Sequence, residues 1–265
     1  MNSDKDIVIT SAFRTPIGSF QGSLKDHKAT ELGTAVVKKC MEHSNLNGSE
    51  VDTVILGQVL QTGCGQNPAR QAAINSGIDK DKTATTINQV CGSGLAAVTL
   101  GFNSLKLNDT NIVIAGGQES MTNSPHYLNY RIEKNLSEEK LKDSMLIDGL
   151  IDAYDDYHMG VTAENVAEKY QITRNDQDNF ALNSQKKAIK AINENKFKEE
   201  IIPIKLKDQK IFDKDEYPRS DTNLEKLSNL KTVFKENGTV TAGNASGLND
   251  GAAAVTLMNY KTSKD

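Results

Sequence analysis

One cysteine, Cys91, lies at the start of a glycine-rich turn within the segment NQVCGSGLAAV (88–98). The stretch 84–90 precedes it, and small and apolar residues continue through Leu100, a pattern that predicts a strand, a tight turn and a helix in succession. Unpaired N–H groups at a helix start favour negative charge, so this position would stabilise a thiolate, the nucleophilic form of cysteine. The alternative is a small core residue beside a turn, because cysteine is among the most buried residue types.

A nucleophilic cysteine needs a base to take its proton, and histidine is the usual candidate. The chain contains His27, His43, His126 and His158. His43 falls near the end of a predicted helix, where it would interact with the helix dipole, and His27 and His126 fall in polar loops. His158, in YDDYHMG, is followed by Met and Gly in a predicted loop. No motif marks any of the four as a base, so the residues alone give a nucleophile without a partner.

The composition excludes several function classes. The 265 residues include 31 Lys and Arg against 35 Asp and Glu, which argues against a nucleic-acid binder. The N-terminus lacks the pattern of a secretory signal, and no apolar run approaches the roughly 18 residues of a membrane span, so we predict a soluble, cytoplasmic protein. Cys40, Cys64 and Cys91 are odd in number and widely spaced, as expected of free thiols. The absence of CxxC and HxxxH spacings predicts no metal site.

Short apolar segments alternate with helical patterns, which predicts an α/β fold with a doubly wound, five-stranded, mostly parallel sheet and helices on both faces. The predicted strands are 7–11, 53–59, 83–90, 111–117 and 252–258. The predicted helices are 30–43, a helix from Pro68 that Asn67 caps and Gly77 ends, the helix that follows Cys91 to about Leu107, and a helix from Thr173 to about Asn195.

The amino-acid composition of the chain changes near residue 121. Residues 122–249 are polar and helical in patches, which predicts an inserted, α-rich domain. Residues 1–121 and 250–265 are then predicted to form the core that carries Cys91. The last strand of the sheet, 252–258, would then follow the inserted domain in the sequence.

The chain resembles the N-terminal portion of the thiolase family, and within it the biosynthetic acetyl-CoA acetyltransferases. Six segments in the order of the family carry this resemblance: SAFRTPIGSFQGSL, VILGQVLQTGCGQNPARQAA, NQVCGSGLAAV, AGGQESMTNSPH, DGLIDAYDDYHMGVTAENVA and GTVTAGNASGLNDGAAAV. The resemblance implies a thiolase-like N-terminal half with an inserted loop domain that binds coenzyme A (CoA). It also implies that Cys91 takes an acetyl group from acetyl-CoA, after which a second acetyl-CoA condenses to acetoacetyl-CoA; thiolysis is the reverse.

The resemblance assigns further residues to the binding of CoA. Leu150, His158 and Met159 match positions that line the channel of the pantetheine arm. Arg219 matches a residue at the CoA phosphates, and Phe234 matches one in the adenine pocket. Ala242 and Ser246 match positions where the chain approaches the pantetheine closely.

The implied ligands are CoA thioesters that act as substrates, with no permanently bound cofactor. The implied partners are acetyl-CoA, acetoacetyl-CoA, CoA and further copies in a homo-oligomer, with no nucleic acid and no membrane.

Departures from the family pattern predict an incomplete enzyme. The NEAF, GHP and CxGGGxG segments of the family, which supply a water-positioning Asn, an activating His and a second Cys, do not occur in the sequence. We therefore expect the C-terminal half to be absent and a large apolar face to be exposed. Lys226 also replaces the small hydroxyl residue that relatives carry near CoA.

Two other functions stay open on the sequence. The chain could be a catalytically inactive fragment that binds CoA or a partner protein, or it could belong to a degradative 3-ketoacyl-CoA thiolase. Ketoacyl synthases share the fold and a nucleophilic cysteine, but they lack the GQNPARQAA and TAGNASGLNDGAAAV segments.

Overall fold

The structure, a computed structural model, describes residues 6–134 and 137–264. These residues form two compact units. The first falls within Met1–Tyr127, Glu200–Glu216 and Asn249–Asp265, and the second within Leu128–Glu199 and Tyr217–Leu248. The predicted inserted domain was 122–249; of these residues, 122–127, 200–216 and 249 group with the first unit.

Strands and helices alternate through the first unit, whereas helices predominate in the second. The strands are β1 (Ile7–Arg14), β2 (Gly18–Ser19), β3 (Thr53–Gly57), β4 (Thr83–Ile87), β5 (Ile112–Ser120), β6 (His126–Tyr127), β7 (Lys142–Asp143), β8 (Ile204–Lys205), β9 (Ile211–Phe212) and β10 (Asn249–Asn259). The helices are α1 (Ala29–His43), α2 (Pro68–Asn75), α3 (Ser93–Lys106), α4 (Tyr130–Glu133), α5 (Met159–Lys169), α6 (Arg174–Asn193) and α7 (Leu224–Ser228). Short 3₁₀ turns cover Glu138–Lys140 and Thr262–Lys264, and a π-helical turn covers Leu146–Leu150.

The main sheet has the strand order β1-β10-β5-β3-β4, and β2 pairs with the start of β10. Strands β1, β5, β3 and β4 run in one direction, as the prediction of a mostly parallel sheet requires. Within this sheet β10, next to the edge strand β1, is antiparallel to both of its neighbours, so the sheet is mixed. The five-strand prediction also missed β2. Consecutive strands joined by one crossover helix run parallel. A strand that follows a long insertion has no such connection and can enter the sheet in either direction.

Side chains of alternate strand residues point to opposite faces of the sheet, and each face packs against helices. Val54 and Ile114 contribute to a core with α1 and α2, whereas Ile55 and Val113 contribute to a second core with α3. The α3 helix also carries apolar side chains that stay exposed, with Leu95 at 75% of its maximal accessible surface.

The helix that begins at Pro68 shows why local signals in the sequence were reliable. The Asn67 side chain accepts a hydrogen bond from the Arg70 N–H at the N-cap, and Pro68 occupies the first helical position. Gly77 follows the helix with φ = 100°, a left-handed conformation that glycine adopts without strain.

A partly buried ion-pair network joins segment 200–216 to β1. The Arg14 guanidinium donates to both carboxylate oxygens of Asp215 at 2.7 and 2.9 Å and to Glu200 at 2.7 Å. The Ile17 N–H also donates to Asp215. Burial opposes the ionisation of Asp215, but these partners outweigh it and hold the pKa of the carboxyl below its usual value.

The second unit is organised around α5 and α6. Thr173 and Asp176 form a capping box at the start of α6, as the sequence pattern indicates. Glu164 of α5 is buried and accepts hydrogen bonds from the N–H groups of Thr239 and Val240. Those contacts tie α5 to the segment that precedes β10.

No helix within the described ranges is long and apolar enough to cross a membrane. In the same part of the chain, no three His, Cys, Asp or Glu side chains cluster in a way that could hold a metal ion.

Candidate active site

Cys91 lies between the end of β4 and the start of α3, and its side chain is exposed. Gly92 is the N-cap of α3, so the sulfur precedes the helix by two residues. The first N–H groups of an α-helix have no intrahelical partner and carry the positive end of the helix dipole. Stabilisation of a Cys91 thiolate by this dipole stays a prediction.

The turn before Cys91 has an unusual backbone. Val90 adopts φ = 49°, which is rare for a residue with a branched Cβ and costs energy. Asn88 Oδ1 accepts the Val90 N–H at 2.9 Å. The buried Ser93 hydroxyl accepts the Gln89 N–H at 2.8 Å and donates to the Val90 carbonyl at 2.6 Å. These three hydrogen bonds hold the turn in its strained form and thereby fix the position of the Cys91 backbone.

Glycines let α3 sit close to the sheet. A Cβ on Gly57, at the end of β3, would lie 2.5 Å from Ser93 Cβ, and a Cβ on Gly117 of β5 would lie 3.4 Å from Gly94 Cα. The helix start therefore packs directly on the carboxyl ends of β3 and β5. Ligand sites of α/β folds commonly occur at this edge of the sheet.

Cys91 lines a cavity of about 350 Å³. Its lining comprises Arg14, Ile17, Gly57, Gln58, Val59, Val90, Cys91, Ser93, Gly94, Gly117, Gln118, Glu119 and Asn249–Ala253. Among the residues that the structure describes, this wall contains no histidine.

Glu119 is one of three ionisable groups in the wall besides Cys91, together with Arg14 and Asp250. Its carboxylate accepts the N–H groups of Val59 and Leu60 at 2.8 and 3.2 Å, which fixes the loop after β3. Burial raises the pKa of Glu119, and the nearby Asp250 raises it further.

The other predicted site residues belong to the second unit, and three of them surround one loop. An antiparallel bridge between Ile151 and His158 closes the loop 152–157. Leu150 therefore ends the π-helical turn on one side of the bridge, and Met159 begins α5 on the other. The structure brings these three predicted residues together.

Phe234 joins the same group. Its ring stacks on the His158 imidazole with a centroid distance of 4.7 Å and an interplanar angle of 16°. A Cβ on Gly160 would lie 2.2 Å from the Phe234 ring, so only glycine allows the ring to lie against the first turn of α5.

Ala242 and Ser246 are exposed in the turn that follows a short backbone pairing. Thr232 pairs with Thr241, and the Val233 N–H donates to the Val240 carbonyl. This pairing places Ala242 next to the segment that carries Phe234.

Arg219 lies on a different groove of the second unit, with a volume of about 330 Å³. Its N–H donates to Gln185 Oε1 at 2.8 Å, and Lys186 and Lys190 of α6 line the same groove. Lys226, the departure from the family pattern, forms an exposed ion pair with Asp221.

Comparisons with known proteins decide the family. The family model described as the thiolase N-terminal domain matches residues 7–261. The chain belongs to the thiolase family. It is 51% identical over 265 residues to an acetyl-CoA acetyltransferase of Pseudomonas aeruginosa, and 50% identical over 258 residues to a probable acetyl-CoA acetyltransferase of Escherichia coli. The predicted family is thereby confirmed.

A solved thiolase structure supports the fold. The chain matches the crystal structure of the Bacillus anthracis acetyl-CoA acetyltransferase with a TM-score of 0.94 and 40% sequence identity, over 98% of this chain. The predicted α/β thiolase fold is confirmed. The chain spans 67% of the length of the Pseudomonas relative and 66% of the Bacillus structure.

Sequence reasoning missed several residues of this thiolase site. Ser93 and Asn88 hold the turn, and Glu119 lines the cavity; all three lie in segments that carry the family resemblance, but none was singled out as a site residue. For Glu119 a signal existed: it is a charged residue two positions after the predicted strand 111–117, at the edge where α/β folds place their ligands. Gly160 had no such signal, because its role depends on a ring 74 positions later in the chain.

Proposed function

We propose that this chain performs the acyl-transfer step of an acetyl-CoA acetyltransferase, with Cys91 as the nucleophile. The observation that carries the proposal is an exposed cysteine in a cavity at the start of α3, in a chain that is 51% identical to an acetyl-CoA acetyltransferase. In this step Cys91 Sγ attacks the thioester carbonyl of acetyl-CoA. The bond from the acetyl carbon to the CoA sulfur breaks, CoA leaves as its thiolate, and a Cys91 thioester remains.

The condensation that follows is proposed as the activity of the whole enzyme. A second acetyl-CoA loses a proton from its methyl carbon, and the resulting carbanion attacks the Cys91 thioester to give acetoacetyl-CoA and free Cys91. A thioester suits this chemistry because its carbonyl is weakly resonance-stabilised and its α-protons are comparatively acidic. Hydrogen-bond donors aimed at the carbonyl oxygen stabilise the negative charge that develops there.

The described cavity residues limit what this chain does alone. Glu119 accepts the N–H groups of Val59 and Leu60, and Asp250 accepts the hydroxyls of Ser120 and Thr122. Neither has a hydrogen bond to Cys91 within the described part of the chain. We therefore assign acylation and recognition of CoA thioesters to this chain, and we do not assign the removal of the α-proton to any of its residues.

CoA recognition is proposed for the second unit. Leu150, His158, Met159 and Phe234 form one group that would contact the pantetheine arm and the adenine, and the turn with Ala242 and Ser246 would approach the same arm. Arg219 would bind the CoA phosphates, because a guanidinium forms strong charge-assisted hydrogen bonds to phosphate oxygens. The substrates and products would be acetyl-CoA, acetoacetyl-CoA and CoA. Assembly as a homo-oligomer and a cytoplasmic location also stay predictions.

Intact-protein mass spectrometry after incubation with acetyl-CoA tests the acylation step. The wild-type chain is expected to gain one acetyl group, which hydroxylamine removes because the product is a thioester. Cys91→Ser should not gain it. Cys64→Ser is the matched control and should behave as wild type, since burial raises the pKa of the Cys64 thiol and keeps it protonated.

Two results would contradict the proposal. An acetyl group that resists hydroxylamine and persists in Cys91→Ser would indicate acetylation of lysine. Retained binding of CoA with no acetylation at any pH would favour the second candidate, a CoA-binding chain without turnover, which the absence of histidine from the described cavity wall supports.

A further inference from the structure

The two ring nitrogens of His158 have different surroundings. Nδ1 accepts the Gly160 N–H at 2.9 Å, which makes His158 the N-cap of α5. Nε2 has no hydrogen-bond partner among the residues that the structure describes. In a neutral imidazole one nitrogen accepts and the other carries the proton. Because Nδ1 acts as an acceptor here, the proton of His158 is on Nε2.

The plane of the imidazole is fixed as well. Phe234 stacks on it at 4.7 Å, and the glycine at position 160 leaves room for that ring against α5. His158, Gly160 and Phe234 thus form one interlocked group, which we call the histidine clamp. Rotation of the imidazole would break both the helix cap and the stacking contact.

We propose that Phe234 and Gly160 are positioning residues that hold His158 as a neutral hydrogen-bond donor through Nε2–H. The class of ligand that fits this donor is a carbonyl acceptor, such as an amide or thioester oxygen of a CoA derivative; this part rests on the proposed function. The stacking on His158 gives Phe234 a role in addition to the adenine contact that the resemblance implies. The geometry also excludes His158 as a base, since its free nitrogen carries a proton and its other nitrogen is occupied.

The protonated nitrogen is measured directly by two-bond ¹H–¹⁵N correlation NMR on the ¹⁵N-histidine-labelled chain without ligand. We expect His158 to show a protonated Nε2 and an unprotonated Nδ1. His158→Gln identifies the signal by its loss, and His27, His43 and His126 serve as internal references. A proton on Nδ1, or rapid averaging between the two nitrogens, would overturn the proposal.

Variants of the clamp test the roles of Phe234 and Gly160. Phe234→Leu and Gly160→Ala should both shift His158 toward averaging between its two protonated forms. Phe234→Tyr keeps a stacking ring and should retain the wild-type signal. Phe180→Leu is the matched control, because Phe180 lies in the same unit and is 79% exposed. A His158 signal that stays unchanged in both Phe234→Leu and Gly160→Ala would remove the positioning role.

Calorimetric titration with acetyl-CoA tests the ligand, in a Cys91→Ser background that prevents acyl transfer. Loss of one oriented hydrogen bond should weaken binding about tenfold in Gly160→Ala, and not in Phe180→Leu. Equal affinity in all variants would overturn the assignment of the ligand. Failure of the parent chain to bind acetyl-CoA would contradict the proposed function, while the NMR measurement decides the state of His158 independently.

Discussion

The strained turn before Cys91 leads to a quantitative prediction for Ser93→Ala. The Ser93 hydroxyl makes two hydrogen bonds to the turn, at 2.8 and 2.6 Å, and the residue is 4% exposed. Each bond contributes about 1 kcal/mol, so the alanine variant loses about 2 kcal/mol of support. The left-handed conformation of Val90 costs about 1–3 kcal/mol. The free energy of the two hydrogen bonds is similar to the cost of the left-handed Val90 conformation. We therefore expect the turn to relax when the hydroxyl is removed.

Relaxation of the turn should reduce the reactivity of Cys91. If the reactive geometry becomes less favourable by about 2 kcal/mol, the rate falls by about 30-fold. The assay is the rate at which iodoacetamide alkylates each cysteine, resolved by peptide mass spectrometry, together with the rate of acetyl transfer from acetyl-CoA. Alkylation of Cys64 in the same sample reports any general loss of structure.

Two variants separate this effect from simple destabilisation. Ser76→Ala removes a buried hydroxyl that donates to the Ala73 carbonyl at 2.7 Å at the end of α2, and Cys91 should keep its rate. Val90→Gly removes the steric cost of the left-handed conformation, so it should restore part of the rate when combined with Ser93→Ala. An unchanged alkylation rate in Ser93→Ala, with the protein still folded, would refute the reasoning.

Three further predictions concern stability. Asp215→Asn should lower the free energy of unfolding at neutral pH by about 3 kcal/mol, because it removes the two-oxygen carboxylate partner of the half-buried Arg14 and leaves the ion pair with Glu200. Folding lowers the pKa of Asp215, so its contribution to stability is present above the usual aspartate pKa and is lost as pH falls through the folded value. Acid unfolding should therefore show a smaller difference between variant and wild type. Folding raises the pKa of Glu119, so wild-type stability should fall as pH rises from its unfolded value through its folded one, and urea titrations of Glu119→Gln should lack that decline. Gly57→Ala should lower the melting temperature, because its Cβ would overlap Ser93, and an unchanged melting temperature would contradict the close packing of α3 on β3.

The sequence predicted best those features that depend on neighbouring residues. Asn67, Pro68 and Gly77 mark the ends of α2 because a cap, a first helical residue and a left-handed terminator each act within one turn of helix. The location of Cys91 between a strand and a helix could be predicted for the same reason.

Features that join distant parts of the chain could not be predicted from periodicity. Arg14 and Asp215 are 201 positions apart, and the stacking of His158 on Phe234 depends on how the second unit folds. Hydrophobic patterns specify which face of a strand is buried but not its direction, so the sequence could not show that β10 runs antiparallel to its neighbours. The resemblance to thiolases supplied residue roles, but it carried no information on hydrogen bonds such as that from Gly160 to His158.

The place of β10 between β1 and β5 has a consequence for synthesis on the ribosome. About 130 residues separate the end of β5 from the start of β10, which corresponds to on the order of ten seconds of translation. During that time the facing edges of β1 and β5 have no strand to pair with and can recruit other nascent chains. We expect the yield of native protein in a cell-free system to rise when a chaperone that shields unpaired strand edges is present during elongation, and to gain much less when the same chaperone is added after release.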